Sequence, residues 1–116
     1  MIKRNIPQRN NNPGCIQYAN QKEASGKDEQ GYAIFPTPEA GWRKLHGIIK
    51  FAANKGYNVT EFINEYAPPV ENDTRNYVGF VCNHMNCGPF TPLIDLSEYA
   101  LGGVMAQMEG YYAKTT

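Results

Sequence analysis

Three carboxylates occupy positions from which they could act as general acids. Glu39 stands in the first turn of a predicted helix, directly after a short aromatic strand. Glu71 and Asp73 flank Asn72 in a segment bounded by prolines, and we expect one of them to cap the following helix while the other reaches a groove. The helix dipole alone also favours an acid at the position of Glu39. The predicted catalytic residues are therefore Glu71, Glu39 and Asp73.

Amide and phenol side chains form a second group with chemical potential. An amide offers both a donor and an acceptor, and a phenol ring offers a stacking face, so together they suit neutral polar ligands such as sugars. Asparagines beside a Pro-Gly turn can instead bond to their own backbone, which is the structural alternative. The predicted substrate-binding residues are Asn10, Asn11, Asn12, Tyr18, Tyr32 and Tyr77.

The sulfur and imidazole side chains allow three weaker interpretations. Cys82 and Cys87 are spaced too widely for the paired knuckles of structural zinc sites, so we predict no metal and no cofactor. In an unbroken helix their five positions correspond to about 7.5 Å of rise, beyond comfortable disulfide reach, so a bridge would require the helix to end before Gly88. A nucleophilic Cys15 with His46 or His84 as base would make a peptidoglycan amidase or peptidase.

Composition excludes several classes of protein. The chain has 116 residues, with 11 Lys+Arg against 11 Asp+Glu, and this neutrality argues against nucleic acid as a partner because phosphate contacts need a basic excess. No apolar run approaches the roughly 20 residues of a membrane span. The segment from Met1 to Pro7 lacks the apolar stretch of a classical signal peptide. Three cysteines indicate a reduced environment rather than a disulfide framework.

Local patterns predict a small hairpin followed by about four helices. We expect a flexible arm at residues 1–8, strands at 15–18 and 31–35, and a polar loop between the strands. Helix signals predict helices at 37–54 and 60–66, a third from Asn72 or Asp73 to about 85, and a fourth from Asp95 or Ser97 to about 111. The length fits one domain over residues 1–116. The predicted class is α+β, mostly α.

Three sequence blocks, in order, carry a family resemblance. The first is Arg9-Asn10-Asn11-Asn12-Pro13-Gly14-Cys15-Ile16, the second runs from Tyr32 to Gly41, and the third is Tyr66-Ala67-Pro68-Pro69-Val70-Glu71-Asn72-Asp73-Thr74, followed by Tyr77 and Thr91-Pro92-Leu93. Together they resemble a lysozyme-like family of phages and prophages with the signature R-N-x-N-P-G-N-[IL]. The layout is also distantly similar to bacterial N-acetylglucosaminidases.

The resemblance implies a lysozyme-like fold that acts on peptidoglycan. This chain departs from the family pattern in two places. Cys15 stands where the family usually has Asn, and the general-acid Glu that glucosaminidases carry upstream of this block has no counterpart, since none of the eight residues before Arg9 is acidic.

The sequence therefore predicts a phage-type lysozyme-like protein that acts on peptidoglycan glycan strands by hydrolysis or transglycosylation. The alternative is a non-catalytic peptidoglycan-binding or virion structural protein of the same fold. Peptidoglycan and other virion proteins are the expected partners. The expected location is the phage virion or the cytoplasm or periplasm of the bacterial host.

Overall fold

The computed structural model describes residues 4–70 and 72–114. Its elements in chain order are α1 (Ile6–Arg9), β1 (Gly26–Lys27), β2 (Ala33–Ile34), α2 (Pro38–Asn54), α3 (Val59–Tyr66), α4 (Thr74–Met85), a 3-10 turn (Leu93–Asp95) and α5 (Glu98–Met108). About half of the chain is helical, and the two strands form an antiparallel hairpin. The predicted class, α+β and mostly α, is confirmed.

The chain divides into two compact units. Unit 1 comprises Met1–Gly47 and Met105–Thr116, and unit 2 comprises Ile48–Val104. That the whole chain is a single lysozyme-like domain stays a prediction. No helix within residues 4–70 and 72–114 combines the length and the apolar character needed to cross a bilayer.

Unit 1 begins with a helix where the sequence predicts a flexible arm. Ile6–Arg9 form one helical turn that starts with a capping box: the Asn5 side chain accepts from the backbone of Gln8, and the Gln8 side chain accepts from the backbone of Asn5. Pro7 lies in the first turn and is buried. The two bonds of the capping box and the proline favour this short helix. The segment therefore forms a helical turn, although its apolar residues show no helical periodicity.

The hairpin of unit 1 differs from the predicted one in its first strand. β2 pairs with β1, with Gly26 opposite Ile34 and Lys27 opposite Ala33, whereas the segment predicted as a strand at 15–18 contributes a single bridge from Gln17 to Tyr32. Cys15 has a φ of 50°, a left-handed conformation that breaks an extended chain. The predicted strand at 15–18 is therefore wrong in position, and the strand lies inside the predicted loop.

Helix α2 begins as the sequence predicts. The Thr37 hydroxyl accepts from the N–H of Ala40 at 3.1 Å, and Pro38 is the first helical residue, which together satisfy the start of the helix. Leu45 in unit 1 and Ile49 in unit 2 are almost completely buried. These two positions are four residues apart, so they lie on one face of the helix, which is the face that it buries.

Unit 2 is built on the packing of α3 against α4. Asn58 starts α3 through a capping box with Glu61, two residues before the predicted cap at Thr60. The facing surfaces bury Phe62 and Ile63 on α3 and Val81 on α4. Burial of these side chains supplies the main stabilisation of the pair, at about 1.5–3 kcal/mol for each large apolar residue.

Candidate functional site

In unit 1, the first described helix is bonded to the residues that follow α5. Asn5 Nδ2 donates to the carbonyl of Gly110 at 2.7 Å. Gln8 Nε2 donates to the carbonyls of Tyr111 at 3.0 Å and Ala113 at 2.8 Å. These bonds hold the residues that follow α5 beside the start of the Asn-Asn-Asn-Pro-Gly turn.

Asn12 occupies the centre of that turn and is completely buried. Its Nδ2 donates to the carbonyls of Ile16 and Ala33, both at 2.9 Å, and its Oδ1 accepts from the N–H of Ile16 at 2.8 Å. The amide therefore bonds the turn to β2, and its hydrogen-bonding groups are occupied within the fold.

The other two asparagines of the turn also bond within unit 1. Asn10 is 5% exposed, and its Nδ2 donates to Asp28 Oδ2 at 2.9 Å. Asn11 is half-buried with a φ of 52°, and its Nδ2 donates to the carbonyl of Phe35 at 3.0 Å. A Cβ on Gly41 of α2 would lie 2.0 Å from the Asn11 carbonyl oxygen, so only glycine permits this approach of the helix to the turn.

Asp28 presents an ionised carboxylate on the hairpin turn. Partial burial opposes its ionisation, but hydrogen bonds from the Asn10 side chain and from the backbone of Tyr32, Gln30 and Gly31 outweigh burial and lower its pKa. Both the Gln30 and the Tyr32 N–H groups donate to Oδ1 at 2.9 Å. The carboxylate thus stays ionised to a lower pH than an ordinary aspartate.

Two carboxylates act on the thiol of Cys15. Burial, followed by the negative charges of Glu109 and Asp28, raises the Cys15 pKa to about 12. A thiol with this pKa stays protonated at neutral pH and is a poor nucleophile, which argues against the predicted cysteine-nucleophile alternative. Hydrogen bonds hold both acids in this region, because Asp28 accepts from Asn10 of the turn and Gly110, the residue after Glu109, accepts from Asn5.

An aromatic cluster joins α2 to the residues that follow Glu109. The Trp42 ring meets Tyr111 edge-on with centroids 5.6 Å apart, and lies at 33° to the Tyr112 ring at 6.3 Å. His46 stands 5.8 Å from Trp42, one turn further along α2. Tyr112 is 60% exposed, so the cluster offers a ring face to solvent, and such faces stack on the apolar faces of sugars.

The structure describes two of the three predicted catalytic carboxylates. Glu39 is exposed in the first turn of α2 in unit 1. Asp73 belongs to unit 2 and caps α4, its side chain accepting from the N–H of Asn76 at 3.2 Å, which is the capping role that the sequence allowed for it. Glu71 lies outside the described residues.

The predicted tyrosines are divided between the two units. In unit 1, Tyr18 is half-buried with its N–H bonded to the Gly31 carbonyl at 2.9 Å, and Tyr32 pairs with Gln17 across the hairpin. Tyr77 is 3% exposed within α4 of unit 2. The structure therefore brings Tyr18 and Tyr32 together with the asparagine turn and places Tyr77 in the interior of unit 2.

Unit 2 has a groove of its own. A cavity of about 480 Å³ is lined by Thr60, Asn64, Pro69, Asn72, Asp73, Thr74, Arg75 and Val78. Its polar groups are the capping residues of α4 and the exposed side of α3, so their positions follow from helix formation. Within residues 4–70 and 72–114, no three His, Cys, Asp or Glu side chains converge as a metal site.

Sequence reasoning missed Glu109 and the aromatic cluster. Glu109 follows directly after Met108, the last residue of α5, where the helix dipole favours a cation and gives a carboxylate no stabilisation. The helix does not favour an acid in that position. This unfavourable position is a local signal that could have identified Glu109 from the sequence. Trp42 falls on the apolar face of α2 in the sequence, so its ring contacts with Tyr111 and Tyr112 were hidden by a periodicity that is typical of core residues.

The sequence was compared with known proteins. No family model matches it. The chain is 32% identical over 109 residues to a phage protein, an alignment that covers 87% of this chain and 68% of the other. This similarity places the chain in a family with a phage member. That member is Protein P5 of Pseudoalteromonas phage PM2, and the chain belongs to its family.

Proposed function

We propose that this protein is a phage-type lysozyme-like protein that cleaves the glycan strands of peptidoglycan, with Glu109 as the general acid. The observation that carries the proposal is that the segment following Glu109 is bonded beside the Asn-Pro-Gly turn, where the charges of Glu109 and Asp28 both raise the pKa of Cys15. Glycosidases commonly use a pair of carboxylates, one that donates a proton and one that stays ionised. Asp28, whose hydrogen bonds lower its pKa, suits the ionised role.

Glu109 also supplies the acid that the family resemblance lacks upstream of the Asn-Pro-Gly turn. The bonds from Asn5 and Gln8 to the residues after α5 bring an acid from the end of the chain to the same turn. In the proposed reaction the Glu109 carboxyl protonates the glycosidic oxygen as the bond between that oxygen and the anomeric carbon breaks, and the Asp28 carboxylate stabilises the positive charge that develops on the sugar ring. Water, or a sugar hydroxyl in transglycosylation, then adds to the anomeric carbon and returns a proton to Glu109. Trp42 and Tyr112 stack against neighbouring sugar rings.

A second candidate is a non-catalytic protein that binds peptidoglycan or assembles in the virion. Asp28 favours this candidate, because both of its oxygens accept hydrogen bonds from within unit 1. Kinship with a phage protein supports a place in the phage particle or the infected host for either candidate.

Dye release from labelled peptidoglycan sacculi tests the proposal. We expect release by the wild type and a loss of at least about 100-fold in Glu109→Gln, because proton donation contributes about 10²–10⁴-fold. Glu29→Gln, a neighbour of Asp28 that is exposed on the same hairpin, removes a charge of the same sign and serves as the matched control. Unfolding of each variant in urea separates loss of catalysis from loss of fold.

The competing acids are tested in the same assay. Loss of release in Glu39→Gln or Glu71→Gln, with full activity in Glu109→Gln, would show that the acid is one of the residues singled out by the sequence. Sedimentation with sacculi without any release would support the binding protein. A protein that neither sediments nor releases dye would contradict any action on peptidoglycan.

A further inference from the structure

Two cysteines meet where helix α4 ends. The helix stops at Met85, and Asn86 adopts the left-handed conformation with φ 55° and ψ 46°. The N–H of Cys87 then donates to the carbonyl of Cys82 at 3.1 Å. This six-to-one bond across a left-handed residue is the hydrogen bond of the Schellman motif, in which the side chains at its two ends pack against each other.

The two thiols are neighbours, and both residues are partly exposed. The backbone bond from Cys87 to the Cys82 carbonyl brings the two residues together, and the interaction with Cys87 is one of the causes that raise the pKa of Cys82. Beyond Cys87 the chain is held by the Gly88 N–H, which donates to the Thr91 hydroxyl at 2.9 Å, and by the Thr91 N–H, which donates to the Gly88 carbonyl at 3.1 Å. In an unbroken helix, five positions of rise would separate the two residues. The turn at the end of α4 brings them closer together.

We propose that Cys82 and Cys87 form a redox modification site, a dithiol that becomes an intramolecular disulfide when the protein meets a disulfide oxidant. One thiolate attacks the oxidant's S–S bond, giving a mixed disulfide and releasing one oxidant thiol. The second thiolate then attacks the sulfur of the first cysteine, so that the Cys82–Cys87 bond forms and the second oxidant thiol leaves. The two protein thiols lose two hydrogens in all, and the oxidant gains them.

The surroundings of Cys82 set the conditions under which the pair reacts. Burial and the neighbouring Cys87 raise the pKa of Cys82, so the Cys82 thiol reacts slowly near neutral pH and faster as the pH rises. Cys15 belongs to unit 1 and is the third cysteine of the chain. We expect Cys15 to remain a thiol during the oxidation, so it serves as an unreacted control within the same molecule.

Incubation with oxidised glutathione at mildly alkaline pH, followed by thiol titration in denaturant, tests the proposal. We expect the three thiols of the chain to fall to one in the wild type, and the two that remain in Cys15→Ser to fall to none. Peptide mapping without reduction is expected to show a Cys82–Cys87 crosslink. Cys82→Ser and Cys87→Ser each retain two thiols, and we expect the remaining member of the pair to stay reduced or to carry glutathione without forming a bridge.

A kinetic control ties the reaction to the turn. Closure of the mixed disulfide is expected to be at least about tenfold faster in the folded protein than in concentrated urea, because the fold holds the two sulfurs together. Persistence of three thiols, stable glutathione adducts on the wild-type Cys82 or Cys87, a bridge that includes Cys15, or equal rates in urea would each overturn the proposal.

Discussion

The interiors of the two units are stabilised by different kinds of interaction. The interior of unit 1 contains buried amides, Asn10 and Asn12, bonded to backbone and carboxylate groups of the hairpin. Unit 2 relies on the apolar faces of its helices, with Phe62 and Val81 buried between α3 and α4. Directional bonds hold irregular backbone in one geometry, whereas apolar packing tolerates adjustment. The proposed catalytic groups lie in the unit with the directional bonds.

Loss of the Asn12 amide should produce the largest effect on stability. Asn12→Ala removes three buried hydrogen bonds and leaves backbone groups of Ile16 and Ala33 unpaired, so we expect a loss of about 3–5 kcal/mol. Urea unfolding at constant m-value measures it. Asn72→Ala in unit 2, where an exposed side chain makes a 3.3 Å bond to the Pro68 carbonyl, should cost no more than about 0.5 kcal/mol. Equal losses would remove the distinction between the units.

The close approach of α2 to the asparagine turn should give the next largest effect. Gly41→Ala places a methyl group 2.0 Å from the Asn11 oxygen and 2.9 Å from Pro13 Cδ, and we expect about 2–3 kcal/mol of destabilisation. Gly47 lies in the same helix and Gly79 in α4 of unit 2, and a Cβ on either would meet no atom within 4 Å. Alanine at those two sites should stabilise by up to about 1 kcal/mol. A neutral Gly41→Ala would contradict the tight packing of the turn.

Two matched helix caps sharpen the comparison further. Asn58 starts α3 and Asn5 starts α1, each with a capping box, but Asn5 also donates to the Gly110 carbonyl at 2.7 Å. Asn58→Ala should cost about 1 kcal/mol, and Asn5→Ala about 2 kcal/mol because it loses a long-range bond as well. Thermal unfolding of the two variants under one buffer decides the difference. If both lose the same amount, the bond between the chain ends contributes nothing to stability.

The smallest effect concerns the charge around Cys15. Alkylation by iodoacetamide in a Cys82→Ser, Cys87→Ser background should be slow at neutral pH and should accelerate as the pH approaches the Cys15 pKa of about 12. Glu109→Gln and Asp28→Asn should each shift the rate profile to lower pH, because each removes a negative charge that opposes ionisation.

The raised pKa of Cys15 also predicts how the stability of the protein changes at high pH. Its pKa in the folded protein lies above the ordinary value of 9.0, so its contribution is complete below pH 9 and is lost as the pH rises toward 12. Cys15→Ser should lessen the fall in stability between these values. In the alkylation experiment described above, an unchanged pH profile of the rate in Glu109→Gln would show that Glu109 is too far from the turn to act on Cys15.

Local signals predicted the starts of α2 and α4, although they missed α1. Thr37 and Pro38 identify the start of α2, and Asp73 caps α4 as one of two residues expected to do so. These signals act within three or four residues, so the sequence alone displays them. The hairpin was misplaced for two reasons that the strand pattern does not contain. Cys15 has a left-handed backbone, and the turn at Asp28 is held by bonds from Asn10 and Tyr32.

The sequence by itself determined the α+β class, the helix starts, the apolar faces and the kinship with a phage protein. Tertiary structure decided what the polar residues do. It committed Asn12 to the fold, buried Tyr77 in unit 2, and brought Glu109 from the end of the chain to the Asn-Pro-Gly turn near its start. Capping and periodicity depend on neighbours along the chain, whereas the convergence of Glu109 and Asp28 depends on contacts between residues as distant as Asn5 and Gly110, which no local pattern encodes.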